Sequence, residues 1–427
     1  MTMKIIPFRG IVALAAGVGL LLSAGAASAH DTSYNAARTE ALTRPCFGAL
    51  LDHQLKTCGG KRYKTRGHHY GYYGTRSHAT INCDTASRAF VEDTVRRMRS
   101  GGVLRLVAKN RSCVGSLQIT RSLTIIGDSP SRLPVLVAPD GESCLRINPS
   151  ADKVILKNVL LSSARGGQSA CIYASNSELT LQNSSVRYEG ESAAVHVAGG
   201  RFNLINSYIV ARTRSVALAL NGSQLFAEQS GITSTADGVY ATLNGDSHIQ
   251  GVTVQQLADW KGFERGEDAV GLEIRLDSAD SILSIDDLKV EHFAEGVVLS
   301  GAGEALLANS LIDFSKHGIR SKLNRVRIID NRILSDEIAI NVDGGTGFIG
   351  KNYIAKVRTA GILASARGEI RAVDNAIDPA PEGCPSLKWG DLDPAQRVCT
   401  PWYRGSEFDI PANAVSQYMF SDYWPRI

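Results

Sequence analysis

The chain has 427 residues, of which 44% are hydrophobic, with 41 Gly, 13 Pro and a formal net charge of +4. That composition is globular rather than disordered or collagen-like, and its near-balanced charge carries no footprint of a nucleic-acid partner. Beyond residue 29, no stretch approaches the ~18 consecutive apolar residues that a membrane-spanning helix needs.

Segment 1–29 opens with "MTMKIIPFRG", which supplies Lys4 and Arg9, continues through the apolar "IVALAAGVGLLL" and ends in "ASA" at Ala29. This is the pattern of a secretory signal with a small-residue cleavage site, so the protein is expected to be secreted or periplasmic. Its removal takes two positive charges with it. Segment 30–84 reads as a basic, cysteine-containing arm. Within it "KTCGGKRYKTRGHHYGYYGTR" carries six Lys or Arg and no acid. A solvated arm is the plain account of that run; a handle for an acidic polymer, with Tyr70, Tyr72 and Tyr73 as stacking surfaces, is the sharper one. Export gives meaning to the eight cysteines, Cys46, Cys58, Cys83, Cys113, Cys144, Cys171, Cys384 and Cys399. An even set in an oxidising compartment predicts disulfides, here between sequence neighbours. No CxxC pair occurs and His68–His69 lack a third ligand at a usable spacing, so no metal site is expected; the cofactor, if any, is not legible.

Residues 85–102, "TASRAFVEDTVRRMRSGG", predict an amphipathic helix with Phe90, Val91, Val95 and Met98 on one face and Gly101–Gly102 as its stop. A repeat then sets in. "LKNVLL", "LQNSSV", "LINSYI", "AEQSGI", "IDDLKV", "LANSLI", "IDNRIL", "GKNYIA" and "VDNAID" share a frame whose polar residues are Asn158, Asn183, Asn206, Gln229, Asp287, Asn309, Asn331, Asn352 and Asn375. Most spacings are 21 to 25 residues, and the longer gap before Asp287 holds one more rung, "IQGVTV", and an insertion. Short alternating runs at this period predict a solenoid of strands, in which each coil buries its inward face only by stacking on the next. Coils ~4.8 Å apart would pile Val, Ile and Leu into columns and turn the polar residues into a ladder. Cys171 lies twelve residues before Asn183, and Cys144 occupies a similar place one coil earlier. Stacked strands would bring the two within disulfide range. Both ends need lids; residues 381–427, with Cys384, Cys399, Trp389 and Trp402, read as the C-terminal one.

The opening coil "GGVLRLVAKNRSCVGSLQITRSLTIIGD" (101–128), the helix before it and the repeat frame resemble right-handed parallel β-helix proteins of the pectin-lyase-like group. The resemblance covers roughly 85–380. It implies an all-β, right-handed parallel β-helix with an N-terminal capping α-helix and a disulfide-tied C-terminal cap, and activities on polysaccharides that often contain uronic acids. The catalytic signatures of known subfamilies are not present. Asp286–Asp287 is an acid pair and "KHGIRSK" offers His317–Gly318, but no matched glycosidase, epimerase or calcium-lyase set accompanies them.

Residues four to eight after the ladder position share one turn, and the insertion "QLADWKGFERGED" (256–268) leaves from it. Loops on a solenoid mark a binding face. The candidate catalytic residues are therefore Glu291, His292, Asp313 and His317. The candidate substrate-binding residues are Arg187, Arg212, Arg214, Trp260, Lys261, Phe263, Arg265, Lys316 and Arg358. Aromatics stack on sugar rings, Arg pairs with carboxylate in bidentate fashion, and a His beside a cation could abstract the proton next to a uronate carboxylate. Surface turns also fill with charge for solubility alone. The expectation is an exported protein that binds, and as a lyase or epimerase modifies, an acidic envelope or extracellular polysaccharide. A non-catalytic envelope or surface scaffold is the alternative.

Overall fold

The computed structural model describes residues 76–163, 167–258, 266–357, 360–364 and 368–378. The signal and most of the basic arm, Cys46, Cys58, Trp260, Lys261, Phe263, Arg265, Arg358 and the C-terminal segment 381–427 lie outside them. The described residues form a parallel β-solenoid of about 12 turns. Each coil contributes short strands to three walls. Wall A runs from Arg76–Asn82 through Met98–Val107 and Leu123–Gly127 to Gly368–Val373. Wall B runs from Cys113–Val114 to Ala376–Asp378, and wall C from Leu117–Ile119 to Ala360–Ala364. The pairings are parallel throughout the described residues, so backbone groups of one coil are satisfied by the coils before and after it.

Alternation explains the core. On wall A, Leu181, Leu204, Ala227, Ile249, Ile285, Leu307, Ile328, Ile349 and Ala372 stack in register, each at most 3% exposed. Burying each Leu or Ile is worth ~1.5–3 kcal/mol, a gain that a single coil cannot realise alone. The intervening residues face outward, and a one-residue slip would exchange the two sets.

The first corner, between walls A and B, carries the polar ladder, with one correction to its register. Asn158, Asn183, Asn206, Gln229, Asp287 and Asn309 hold left-handed backbone, φ 44° to 55°, and Gly251 takes the same place in its coil at φ 61°. In the last three coils the left-handed residue is Asp330, Lys351 or Asp374, one place earlier than Asn331, Asn352 and Asn375. Those three asparagines point inward and are 0–1% exposed. They align with the inward serines Ser184, Ser207, Ser230 and Ser310, because Leu311 pairs with Arg332. The sequence frame matched Asn with Asn. The structure matches buried hydrogen-bonding residue with buried hydrogen-bonding residue.

Two disulfides close early coils. Cys144–Cys171 joins adjacent wall C rungs with a Cα–Cα distance of 4.7 Å, as the repeat predicts, and Cys83–Cys113 joins the next pair of neighbours. The helix Arg88–Arg96 is shorter than the sequence suggests. Ser87 Oγ caps it by accepting from Phe90 N at 3.3 Å, and Val91 and Val95 are buried. Phe90, expected on the buried face, is instead 50% exposed, and Met98 already belongs to the next strand. Glu92 Oε1 accepts from Ser116 N at 3.1 Å, tying the helix to the first coil. One rung, Arg76–Asn82, precedes the helix, within the stretch assigned by sequence to the arm. Among the described residues no helix is long and apolar enough to cross a membrane.

Candidate functional site

The second corner, between walls B and C, is shaped by a column of small residues. Cys144, Cys171, Ala194, Ala217, Gly238, Gly271, Gly296, Gly318 and Ala339 follow one another in register at the start of wall C. A Cβ on Gly318 would stand 2.7 Å from Ile333 Cγ2, and one on Gly271 2.5 Å from Val290 Cγ1. The chain turns so tightly there that a side chain would displace the core. Before the early members of the column the preceding residue is buried, as Ser143, Ala170, Ala193 and Val216 are, but from Gly238 onward it is partly exposed at the corner. Asp237, Val270, Glu295, His317 and Ile338 occupy that position. The Asp237 carboxyl, half-buried and accepting from Val270 N at 2.9 Å, is pushed up in pKa by its burial.

Glu295 and His317 are direct neighbours on adjacent rungs, and they anchor a polar cluster. His317 Nε2 lies 2.9 Å from Glu337 Oε2, and His317 Nδ1 lies 3.7 Å from Glu295 Oε1. Arg320 Nη2 holds the other Glu295 oxygen at 2.8 Å. Lys316, beside His317, is exposed and has no ion pair among the described residues. The imidazole thus sits between two carboxylates, one of them backed by a guanidinium. The shorter contact, to Glu337, fixes the ring's orientation.

On wall C the outward positions in register are Tyr173, His196, Ala219, Tyr240, Glu273, Val298 and Arg320. Tyr173 and His196 meet edge to face with centroids 5.1 Å apart, and Tyr240 is 47% exposed. Burial lowers the pKa of His196, which favours its neutral form. This column runs directly into the His317 cluster, because Arg320 belongs to both. Beside it, Arg275 pairs with Asp277 at 3.1 Å and Lys322 with Asp343 at 3.3 Å, on well-exposed side chains.

The sequence-predicted residues are distributed more widely than one groove. Glu291 and Asp313 are outward neighbours on wall B, and Lys289 Nζ holds Glu291 at 2.8 Å. His292 takes φ 68° at the second corner, where its N–H donates to Asp313 O at 3.2 Å. Arg187 lies in the same wall B column as Asp313 but five rungs away, about 24 Å at ~4.8 Å per rung. Arg212 and Arg214 are engaged by Glu189 at 2.7 Å and Glu191 at 3.9 Å. The insertion does leave from this corner: Leu257 N donates to Ser234 O at 2.6 Å, and Gln256 Nε2 donates to Gly266 O at 2.8 Å across its base. Sequence reasoning missed Tyr173, His196, Tyr240, Glu295, Arg320 and Glu337 as site residues. For the rings the signal was their recurrence at one coil and then two coils, Tyr173 to His196 and His196 to Tyr240 with Ala219 between, which becomes visible once the strand register is known. Among the described residues no group of three or more His, Cys, Asp or Glu could hold a metal ion. Comparison with family models, curated proteins and solved structures returned no match.

Proposed function

We propose that this protein is an exported saccharide-binding solenoid that takes an acidic polysaccharide along the outer face of wall C. The observation that carries this reading is the register: Tyr173, His196 and Tyr240 lead, rung by rung, to Arg320, Glu295, His317 and Glu337. Exposed aromatic rings offer apolar faces to pyranose rings, and cations at the column's margin meet carboxylates. Exposed pairs such as Lys322–Asp343 are worth little in water, so a ligand carboxylate can compete for the lysine. On this reading the solenoid is right-handed and of the pectin-lyase-like type, with the helix Arg88–Arg96 as its N-terminal lid and residues 381–427 as its C-terminal one. The two described disulfides suit an oxidising compartment.

A second reading, a lyase or epimerase, is favoured by one observation, the clamp on His317. With Nε2–H donated to Glu337, the lone pair stands on Nδ1, and exposed Lys316 can neutralise a uronate carboxylate. His317 would remove the proton next to that carboxylate. In elimination the glycosidic C–O bond then breaks, the departing oxygen taking a proton from water, and an unsaturated uronate is left; in epimerisation water delivers a proton to the opposite face while His317 keeps the one it removed.

The test uses the purified full chain with polygalacturonate and alginate. Retarded migration in polymer-containing gels, weakened in Tyr240→Ala, supports the binding reading. Unchanged migration in both polymers overturns it. New ultraviolet absorbance from an unsaturated product, absent in His317→Ala, establishes the lyase. Binding without turnover identifies a scaffold.

A further inference from the structure

We propose a second saccharide site on wall B, centred on Tyr208, that stacks a uronic-acid residue and holds its carboxylate with Arg187; it deepens the acidic-polysaccharide reading but uses a different face from wall C.

The platform is built by a missing side chain. Tyr208 and Gly231 are register partners on adjacent rungs, both facing outward. A Cβ on Gly231 would lie 2.8 Å from Tyr208 Cδ1 and 3.0 Å from its Cε1, so the ring lies down over the glycine. Its other face is open: Tyr208 is 56% exposed, more than any other outward aromatic named above. Two other outward rings are covered by arginines. Arg201 lies over Phe226 at 4.8 Å and Arg332 over Tyr353 at 5.8 Å. No such guanidinium covers Tyr208 among the described residues.

Chemistry beside the ring selects the ligand. Arg187 sits on the preceding rung, diagonal to Tyr208, because it pairs with Val210. Diagonal neighbours on a sheet are about 7–8 Å apart, within reach of a long side chain. Unlike those of Arg212 and Arg214, the Arg187 side chain makes no ion pair or hydrogen bond among the described residues. The outward positions around the ring are Ser185, Val210 and Thr233; next to Arg187 and Val210 on the same face Glu189 and Arg212 pair with each other at 2.7 Å, which leaves Arg187 as the charge that faces the ring. On the other side, the first corner presents side-chain amides: Asn206 Nδ2 donates to Asn183 Oδ1 at 2.7 Å, and Gln229 follows on the next coil. That leaves Asn206 Oδ1 and Asn183 Nδ2 for ring hydroxyls. A flat apolar face, one free guanidinium and a row of amides match a pyranose that carries a carboxylate.

The experiment is calorimetric titration of the full chain with a galacturonate hexamer and with its carboxyl-reduced, neutral counterpart. The variants are Tyr208→Ala, Arg187→Gln and Gly231→Leu, with Tyr240→Ala reporting on wall C; circular dichroism checks that each is folded. Two sites are expected in the native chain. Tyr208→Ala and Gly231→Leu should each remove one of them, and Arg187→Gln should weaken that one by about tenfold, its preference over the neutral hexamer lost. Tyr240→Ala should leave it intact. If Tyr208→Ala leaves both sites unchanged, or if Tyr240→Ala alone abolishes all binding, the wall B site is refuted while wall C stands. If Tyr240→Ala changes nothing while Tyr208→Ala removes binding, wall B stands and the wall C reading fails. If neither hexamer binds the native chain, both readings fail.

Discussion

Replacing Asn352 by Ala tests the inward ladder more sharply than any surface change. Asn352 is fully buried. Its Oδ1 accepts from Asn331 N and Asn331 Nδ2, both at 3.0 Å, while its Nδ2 donates to Ile328 O and Asn375 Oδ1, both at 2.9 Å. Alanine removes all four bonds. It strands the Asn331 backbone N–H inside the core and leaves two acceptors short of a donor; Asn331 Nδ2 keeps Leu307 O, and Asn375 Oδ1 keeps Asn352 N. An orphaned buried polar group costs ~1–3 kcal/mol, so the variant should lose ~3–5 kcal/mol once relaxation is allowed for. Asn309→Gly is the matched comparison. It removes only an exposed bond to Asp286 Oδ1 at 2.7 Å, and glycine holds the left-handed backbone without steric cost, as Gly251 already does. Its loss should stay within about 1 kcal/mol. Urea midpoints of the two variants, with amide exchange on the neighbouring coils, measure the difference. Equal losses, or a larger one for Asn309→Gly, would show that the amides form one continuous outer ladder and that the one-residue shift is wrong.

Three further outcomes are expected. Gly318→Val drives a branched side chain toward Ile333 Cγ2 and should cost ~1–3 kcal/mol or abolish soluble expression, read by thermal melting; an unchanged melt would mean that the corner is looser than described. The double variant Cys144→Ala, Cys171→Ala places alanine where Ala194 and Ala217 already stand, so it should fold and lose ~3 kcal/mol or less by urea titration. A loss of native circular dichroism would contradict that fit. Asp84 accepts from the backbone N–H groups of Asn110 at 2.8 Å, Arg111 at 2.7 Å and Lys109 at 3.1 Å, which lower its pKa, the Asn110 bond most. A carboxylate depressed in the folded state adds stability above its unfolded pKa and loses it as pH falls through the folded value. The native chain should therefore lose more stability than Asp84→Asn between neutral and strongly acidic pH. Parallel pH curves would sink that assignment.

The fold was legible because a solenoid writes its contacts into local sequence. Each interior residue stacks on its counterpart one period away, so the 21–25-residue spacing, the alternation and the pairing of Cys144 with Cys171 were all present in one dimension. The glycine of "HGI" stands in the small-residue column of the second corner, and packing against Ile333 there accounts for it. What the sequence left undetermined was phase. Asn is accepted both in left-handed backbone at the outside of the first corner and as a buried hydrogen-bonding residue one place later, and identity alone does not separate the two. Only strand pairing, with Leu311 opposite Arg332, decided which role each Asn plays. The candidate site was hidden for the same reason. Glu295, His317 and Arg320 are scattered in sequence, and which outward residues are neighbours depends on a register that a single-residue bulge or insertion can shift. Residue spacing determines that coils must stack, because their apolar faces have no other place to go. Which polar groups then meet on the outside is set by three-dimensional pairing, because water satisfies outward side chains equally well in any register.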